Sequence, residues 1–177
     1  IKPIPGVIRP CIPTLVPKEK GGLGILLDVG ANADCKSDVL AQFGLLGSLL
    51  AEHVYHIASP RVALLNIGEE EKKGDLLRQS TYELMKEQTQ YRFVGNVEGR
   101  DLFNEKADVM VCDGFTGNVA LKSMEGTAKL IRHFLEIEFR AGIYRRLAGL
   151  VAWPVLKSLG RRLDPRRYNG ASLVGLN

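Results

Sequence analysis

Ala107-Asp108-Val109-Met110-Val111-Cys112-Asp113-Gly114-Phe115-Thr116-Gly117-Asn118 begins as a short apolar run and ends in Asp, Gly, Thr and Asn. Three runs upstream share the pattern. Gly24-Ile25-Leu26-Leu27-Asp28-Val29 leads into Gly30-Ala31-Asn32, Arg61-Val62-Ala63-Leu64-Leu65-Asn66-Ile67 into Gly68, and Tyr91-Arg92-Phe93-Val94 into Gly95-Asn96. Val39, Leu40, Phe43, Leu46, Leu50, Val54 and Ile57 share one helical face over residues 38–57, and a charged helix is expected over residues 75–88. Ser37 or Asp38 is placed to cap the first helix, and Asp101 a short helical turn. Apolar runs alternating with helices predict βα units around a parallel, buried sheet. Ahead of them, Pro3, Pro5, Pro10, Pro13 and Pro17 predict extended connecting chain over residues 1–21, with short strand pieces.

All four runs end in Gly plus Asp or Asn within two residues of it. In open α/β sheets, ligands bind beyond the carboxyl ends of the strands. Glycine there lets backbone N–H groups come close to a ligand. A helix that starts after such a loop favours an anion, phosphate above all. Asp28, Asn32, Asn66, Asn96 and Asp113 are the polar side chains so placed. A tight turn explains Gly and Asn at any single loop; four together favour an anion site. No GxGxxG and no GxxxxGK(S/T) occurs, so the fingerprints of dinucleotide and nucleoside triphosphate binding are both missing. His53 and His56 have the spacing of a metal pair on a helix, without a third ligand nearby. Cys35 stands in a strand-end loop with no His placed to activate it, and Cys112 ends a buried run.

The 177 residues give room for one ordinary α/β domain. With 45% hydrophobic and 25% charged residues the composition excludes a disordered chain. Cys11, Cys35 and Cys112 form neither a metal spacing nor a disulfide framework, which fits a reducing cytosol. No apolar run has transmembrane length, and no signal peptide opens the sequence. A start at Ile1 in Pro-rich text, and a stop just after Ser-Leu-Val-Gly-Leu, read as a piece of a longer protein.

Charge is unevenly spread. Residues 129–168 hold ten Lys/Arg against three acids, a net +7, while the rest of the chain is net −3. Within this basic region a long helix is expected over residues 119–139. Met124, Ala128, Ile131, Leu135 and Phe139 form its apolar stripe, widened by Leu130, Phe134 and Ile137, so the helix needs a second helix or another subunit as partner. Residues 147–156 then carry no polar or charged side chain. Arg145 and Arg146 flank them on one side, and Lys157, Arg161 and Arg162 on the other. This predicts a helical hairpin over residues 119–168 whose tip, Leu150, Val151, Trp153, Val155 and Leu156, inserts shallowly into an anionic membrane surface. Burial of the tip in a dimer interface is the rival reading.

Residues 26–48 (LLDVGANADCKSDVLAQFGLLGS), 64–86 (LLNIGEEEKKGDLLRQSTYELMK), 93–126 (FVGNVEGRDLFNEKADVMVCDGFTGNVALKSMEG) and 168–177 (YNGASLVGLN) together closely resemble the bacterial phosphate acyltransferase family. The resemblance runs from Gly6 through nearly the whole chain and corresponds to roughly the second half of a member. It implies a three-layer α/β/α fold with a mostly parallel sheet, like that of isocitrate and isopropylmalate dehydrogenases and phosphotransacetylase, with a projecting helical hairpin. Residues 1–118 and 169–177 would belong to the catalytic domain. The implied reaction converts long-chain acyl-acyl carrier protein and inorganic phosphate to acyl phosphate for phospholipid synthesis, with no cofactor and no metal. A cytoplasmic homodimer, peripherally bound to the membrane, is implied too. Lys73 and Asn118 match family positions given catalytic roles, with Asp113 as a positioner of Lys73. Taken alone, Lys73 reads as a surface lysine in a charged run, and Lys72 beside it leaves open which of the two faces the site.

Two other functions compete. An acetyl-phosphate-forming or dehydrogenase-like relative would share the fold, but the missing dinucleotide fingerprint and the basic apolar hairpin count against it. A non-enzymatic module would use the hairpin to bind membrane or nucleic acid. Few aromatic residues interleave with the arginines, which disfavours nucleic acid.

Overall fold

Ile25, Leu27, Val62, Leu64, Val109 and Val111 turn to one side of a sheet, and Leu26, Ala63, Leu65 and Met110 to the other. This period of two makes the protein three layers deep. The computed structural model describes residues 2–162 and 173–176. Its strands are β1 (Pro13–Pro17), β2 (Leu23–Leu27), β3 (Arg61–Leu65), β4 (Arg92–Val97) and β5 (Val109–Val111), in the order β1-β2-β5-β3-β4. Helices α1 (Ser37–His53) and α2 (Leu76–Lys86) cover the first face. A 3₁₀ turn (Gly99–Phe103) and the start of α3 (Gly114–Arg140) cover the second, through Leu102, Phe103, Ala120, Leu121 and Met124. Four of the strands are parallel. β1 lies antiparallel to β2 at the sheet's edge, where Pro13 and Pro17 remove no interior ladder bond.

The expected α/β/α architecture is present, with several boundaries moved. α1 ends at His53, so Val54 falls outside it and is exposed. Neither Ser37 nor Asp38 caps α1; the N-cap is Lys36 and makes no side-chain bond. Asp101 is not the cap of the 3₁₀ turn but the third residue of a capping box begun by Glu98. Gly95 does not end the third run. It sits at φ +96° inside β4, where two steps along β3 (Val62 to Leu64) match three along β4 (Phe93 to Asn96). That bulge puts Asn96 in the strand, opposite Leu64. Val174 closes an isolated antiparallel bridge with Cys11, so the described C-terminal residues lie against the N-terminal segment. Residues 163–172 of the expected hairpin and domain lie outside the described residues.

The amino ends of the parallel strands are locked by charge. Arg61 grips Asp108 with two bonds of 2.9 Å, Nε to Oδ2 and Nη2 to Oδ1. Burial works to raise the Asp108 pKa, but the bonds from Arg61 hold it below its ordinary value. The buried Lys18 ammonium donates to Ala107 O at 2.8 Å and Leu102 O at 3.2 Å, and burial lowers its pKa. The carboxyl ends are therefore the ones available for a ligand.

The hairpin departs from expectation at its start and at its tip. α3 starts at Gly114, not residue 119, and runs past the body before turning at Ala141 and Gly142 into α4 (Ile143–Arg162). Leu150, Val151, Trp153, Val155 and Leu156 thus lie on the shaft of α4, about 12–21 Å from the turn at 1.5 Å per residue. The tip itself presents Ile143 and Tyr144. Leu150, Val151, Trp153 and Val155 are 73%, 83%, 63% and 71% exposed, whereas Leu156 is half-buried. Leu130, Ile131, Phe134, Leu135 and Ile137 of α3 are also exposed. The basic residues are partly balanced: Arg145 pairs with Glu138, and Arg132 with Glu136 at 3.0 Å.

Small residues let α1 approach the sheet. A Cβ on Gly47 would meet Leu27 and Val109, whereas one on Gly126, on the exposed side of α3, would meet nothing within 4 Å. Gly47→Val is expected to destabilise the protein by about 1–3 kcal/mol or more through overpacking. Gly126→Ala should stabilise it by about 0.5–1 kcal/mol through helix propensity. Urea denaturation midpoints of the two variants check this contrast.

Candidate active site

β2, β5 and β3 are neighbours, so the loops beyond their carboxyl ends gather at one edge of the sheet. Asp28 organises the first of them. Its fully buried carboxylate accepts at Oδ1 from the backbone N–H groups of Ile12 (3.0 Å), Gly30 (3.2 Å) and Ala31 (3.1 Å). At Oδ2 it accepts from Asn32 N (2.7 Å) and Asn32 Nδ2 (2.9 Å). Asn32 Nδ2 also reaches Pro10 O at 2.8 Å. α3 presses against this loop. A Cβ on Gly117 would collide with the Asp28 carbonyl oxygen, and one on Gly114 with the Asn32 backbone. The Gly-Phe-Thr-Gly-Asn text is therefore a helical first turn rather than a loop, and its glycines serve close packing.

Asn66 and Asn96 hold the second loop. Asn66 Nδ2 donates to Lys73 O at 3.0 Å and its Oδ1 accepts from Ile67 N at 2.8 Å. Asn96 Nδ2 donates to Glu70 O at 2.9 Å, while its buried Oδ1 has no hydrogen-bond partner among the described residues. The loop turns so that the Lys73 side chain lies along Gly68. Lys72 and Lys73 are both exposed. The Lys73 ammonium makes no hydrogen bond or ion pair among the described residues.

Asp113 caps α3 by accepting from Thr116 N at 2.8 Å and Thr116 Oγ1 at 2.9 Å. Its ion-pair partner is Arg78, not the expected Lys73. Asn118, on the next turn, donates from Nδ2 to Val29 O at 3.1 Å and is an exposed residue, with a second amide N–H and Oδ1 not used in that bond. Between the loop after β2 and the first turns of α2 and α3 lies an open cavity of about 430 Å³, lined by Asp34, Cys35, Asp75, Arg78, Asp113 and Phe115 among others, and not by Lys73 or Asn118. Burial, and the charges of Asp113 and Asp28, push the Cys35 thiol up to about 11, so it stays protonated near neutral pH and is a poor nucleophile. No three His, Cys, Asp or Glu side chains gather as a metal site among the described residues.

A family model described as fatty acid synthesis protein matches residues 1–177. The chain belongs to the fatty acid synthesis protein family. Relatives named phosphate acyltransferase from Alkalilimnicola ehrlichii, Halorhodospira halophila and Dictyoglomus thermophilum are 53%, 49% and 44% identical to it. The matches cover 98–99% of this chain and 51–52% of those proteins, so this member of the family spans about half the length of its curated relatives. Among solved structures, EutD phosphotransacetylase from Staphylococcus aureus aligns with a TM-score of 0.56 at 18% identity, over 73% of this chain and 45% of that one. A phosphotransacetylase from Streptococcus pyogenes aligns with a TM-score of 0.57 at 17% identity over the same shares. These two likenesses are of fold.

Sequence reasoning missed Arg78, Asp75 and Thr116. Asp75 and Arg78 carry a visible signal, an acid three residues before a base at a helix start. The bond from Arg78 to Asp113 joins residues 35 apart, and no local pattern shows it.

Asp28→Asn would set an amide N–H₂ against a cluster of donors. The expected cost is about 1.5–3 kcal/mol, the scale of hydrogen bonds to a buried charge. A thermal or urea unfolding series checks it, and an unchanged midpoint would show that the loop does not depend on this carboxylate.

Proposed function

We propose that the full-length protein is a phosphate acyltransferase, which moves a long-chain acyl group from acyl carrier protein to inorganic phosphate and releases acyl phosphate for phospholipid synthesis. The observation that carries this reading is the 53% and 49% identity, over 99% of the chain, to relatives named phosphate acyltransferase. In the proposed step a phosphate oxygen attacks the thioester carbonyl carbon. The carbonyl oxygen takes up negative charge, the C–S bond breaks, and the carrier thiolate leaves to be protonated. The step needs no cofactor and no metal. Lys73 is read as the cation that holds phosphate or the developing oxyanion, and Asn118 as a donor to the same oxygen. Their uncommitted N–H groups support that assignment. Asp28, Asn32, Asn66 and Asp113 are read as builders of the loops, since the Asp28, Asn66 and Asp113 polar side-chain atoms and the Asn32 amide nitrogen are bonded within the protein. Asn96 keeps a buried oxygen for a donor.

The proposal extends to the protein's surroundings. The exposed stripe of α3 suits a second copy, giving a homodimer. The apolar shaft of α4, with arginines and a lysine around it, suits peripheral contact with an anionic membrane on its cytoplasmic side. No helix among the described residues is long and apolar enough to cross a membrane.

Lys73→Ala and Asn118→Ala, in the full-length enzyme, should each lower turnover by about 10²-fold or more, the size of one oxyanion donor. Acyl phosphate formed from acyl carrier thioester and phosphate is the readout, and near-normal turnover in both variants would sink the assignment. Leu150→Asp with Val155→Asp should abolish sedimentation with anionic vesicles, since each large side chain contributes up to about 1.5–3 kcal/mol when buried. A variant that instead becomes monomeric on a sizing column would place these residues between subunits.

A further inference from the structure

Asp75 follows Lys73 by two residues, Thr116 precedes Asn118 by two, and one guanidinium binds both. Arg78 Nη1 donates to Asp75 Oδ2 at 2.9 Å, and Nη2 to Thr116 Oγ1 at 2.9 Å. Nη2 also pairs with Asp113 Oδ2, and the Arg78 and Asp113 side chains are only 16% and 7% exposed. Asp75 caps α2, accepting from Arg78 N at 2.8 Å, and Asp113 caps α3. Arg78 thus ties together the first turns of two helices that come from opposite faces of the sheet. Immediately before one lies the Lys73 loop, and on the other sits Asn118.

We propose that Arg78 is a positioning residue for acyl transfer, setting the Lys73 loop in register with the turn that carries Asn118. The inference rests on the phosphate acyltransferase reading. Arg78 faces two carboxylates, Asp75 and Asp113, so its charge is already matched and it is not a phosphate ligand. The rigid planar fork reaches three oxygens on two elements, which a lysine ammonium on a flexible stem does not reproduce.

The test uses the full-length enzyme with acyl carrier thioester and phosphate, and compares Arg78→Ala, Arg78→Lys, Asn118→Ala and the double variant Arg78→Ala/Asn118→Ala. Arg78→Ala should lose about 10²-fold in kcat, the effect of misplacing a group by about 1 Å, with KM for both substrates changed by less than about threefold. Arg78→Lys should recover only part of the loss. Because Arg78 acts through Asn118, the double variant should be slower than Asn118→Ala by no more than about threefold rather than by the product of the two losses. Should Arg78→Ala fail to fold, Thr116→Val decides the matter: it removes one arm of the strut and leaves the Asp113 pair, and should lower kcat without raising KM. Normal kcat in folded Arg78→Ala or in Thr116→Val, fully multiplicative losses in the double variant, or a loss confined to the KM for phosphate would overturn the proposal. Normal turnover in Asn118→Ala would remove Asn118 from the site, and the positioning role of Arg78 with it; normal turnover in Lys73→Ala as well would bring down the acyltransferase site itself.

Discussion

Asp28 is a carboxylate with no exposed surface, and a charge so buried persists only where donors surround it. Its five hydrogen bonds come from the strand-end loop after β2 and from Ile12, just ahead of β1. Its own carbonyl oxygen is the surface on which Gly117 of α3 rests. One buried charge therefore fixes the N-terminal segment, the first loop and the start of α3 relative to one another. The helix could not sit so close with any side chain at Gly117, and Asn118 would not then reach Val29.

The strand-end polar residues divide by what they have left to offer. Asp28, Asn32 and Asn66 bond backbone groups of the strand-end loops, and Asp113 bonds Thr116 and Arg78 at the starts of α3 and α2. Lys73, on the loop that Asn66 and Asn96 hold, and Asn118, near the start of α3, are both exposed. A site that must stabilise charge as it develops gains from donors fixed before the substrate arrives. At the opposite end of the sheet, Arg61, Asp108 and Lys18 satisfy one another or nearby carbonyls, which leaves a closed and stable base.

The hairpin is built on the opposite terms. Past Met124, α3 leaves the body and carries apolar side chains into the open, and α4 covers only part of them. Gly149 lies against Phe139 where the two helices meet, yet most large side chains of α4 face outward. So much apolar surface on a projecting element calls for a partner surface. Its position along the shaft rather than at the turn gives that partner a long face to cover.

Residues 23–27, 61–65 and 109–111 announced their strands because fully buried parallel strands need unbroken apolar runs, and the helical spacing expected over 38–57 and the charged helix expected over 75–88 correspond to helices over 37–53 and 76–86. The Gly, Asp and Asn at strand ends were legible too, since few other residues make those turns. What each did there was not. Sequence spacing could not show that Gly95 belongs to a bulge, because a bulge exists only relative to the neighbouring strand. It could not show that 114–118 are helical, because Asp113 caps α3 only when the chain folds back over Thr116. Nor could it pair Arg78 with Asp113: ion pairs between distant residues are chosen by which helix ends the sheet brings together, and that is decided by tertiary packing alone.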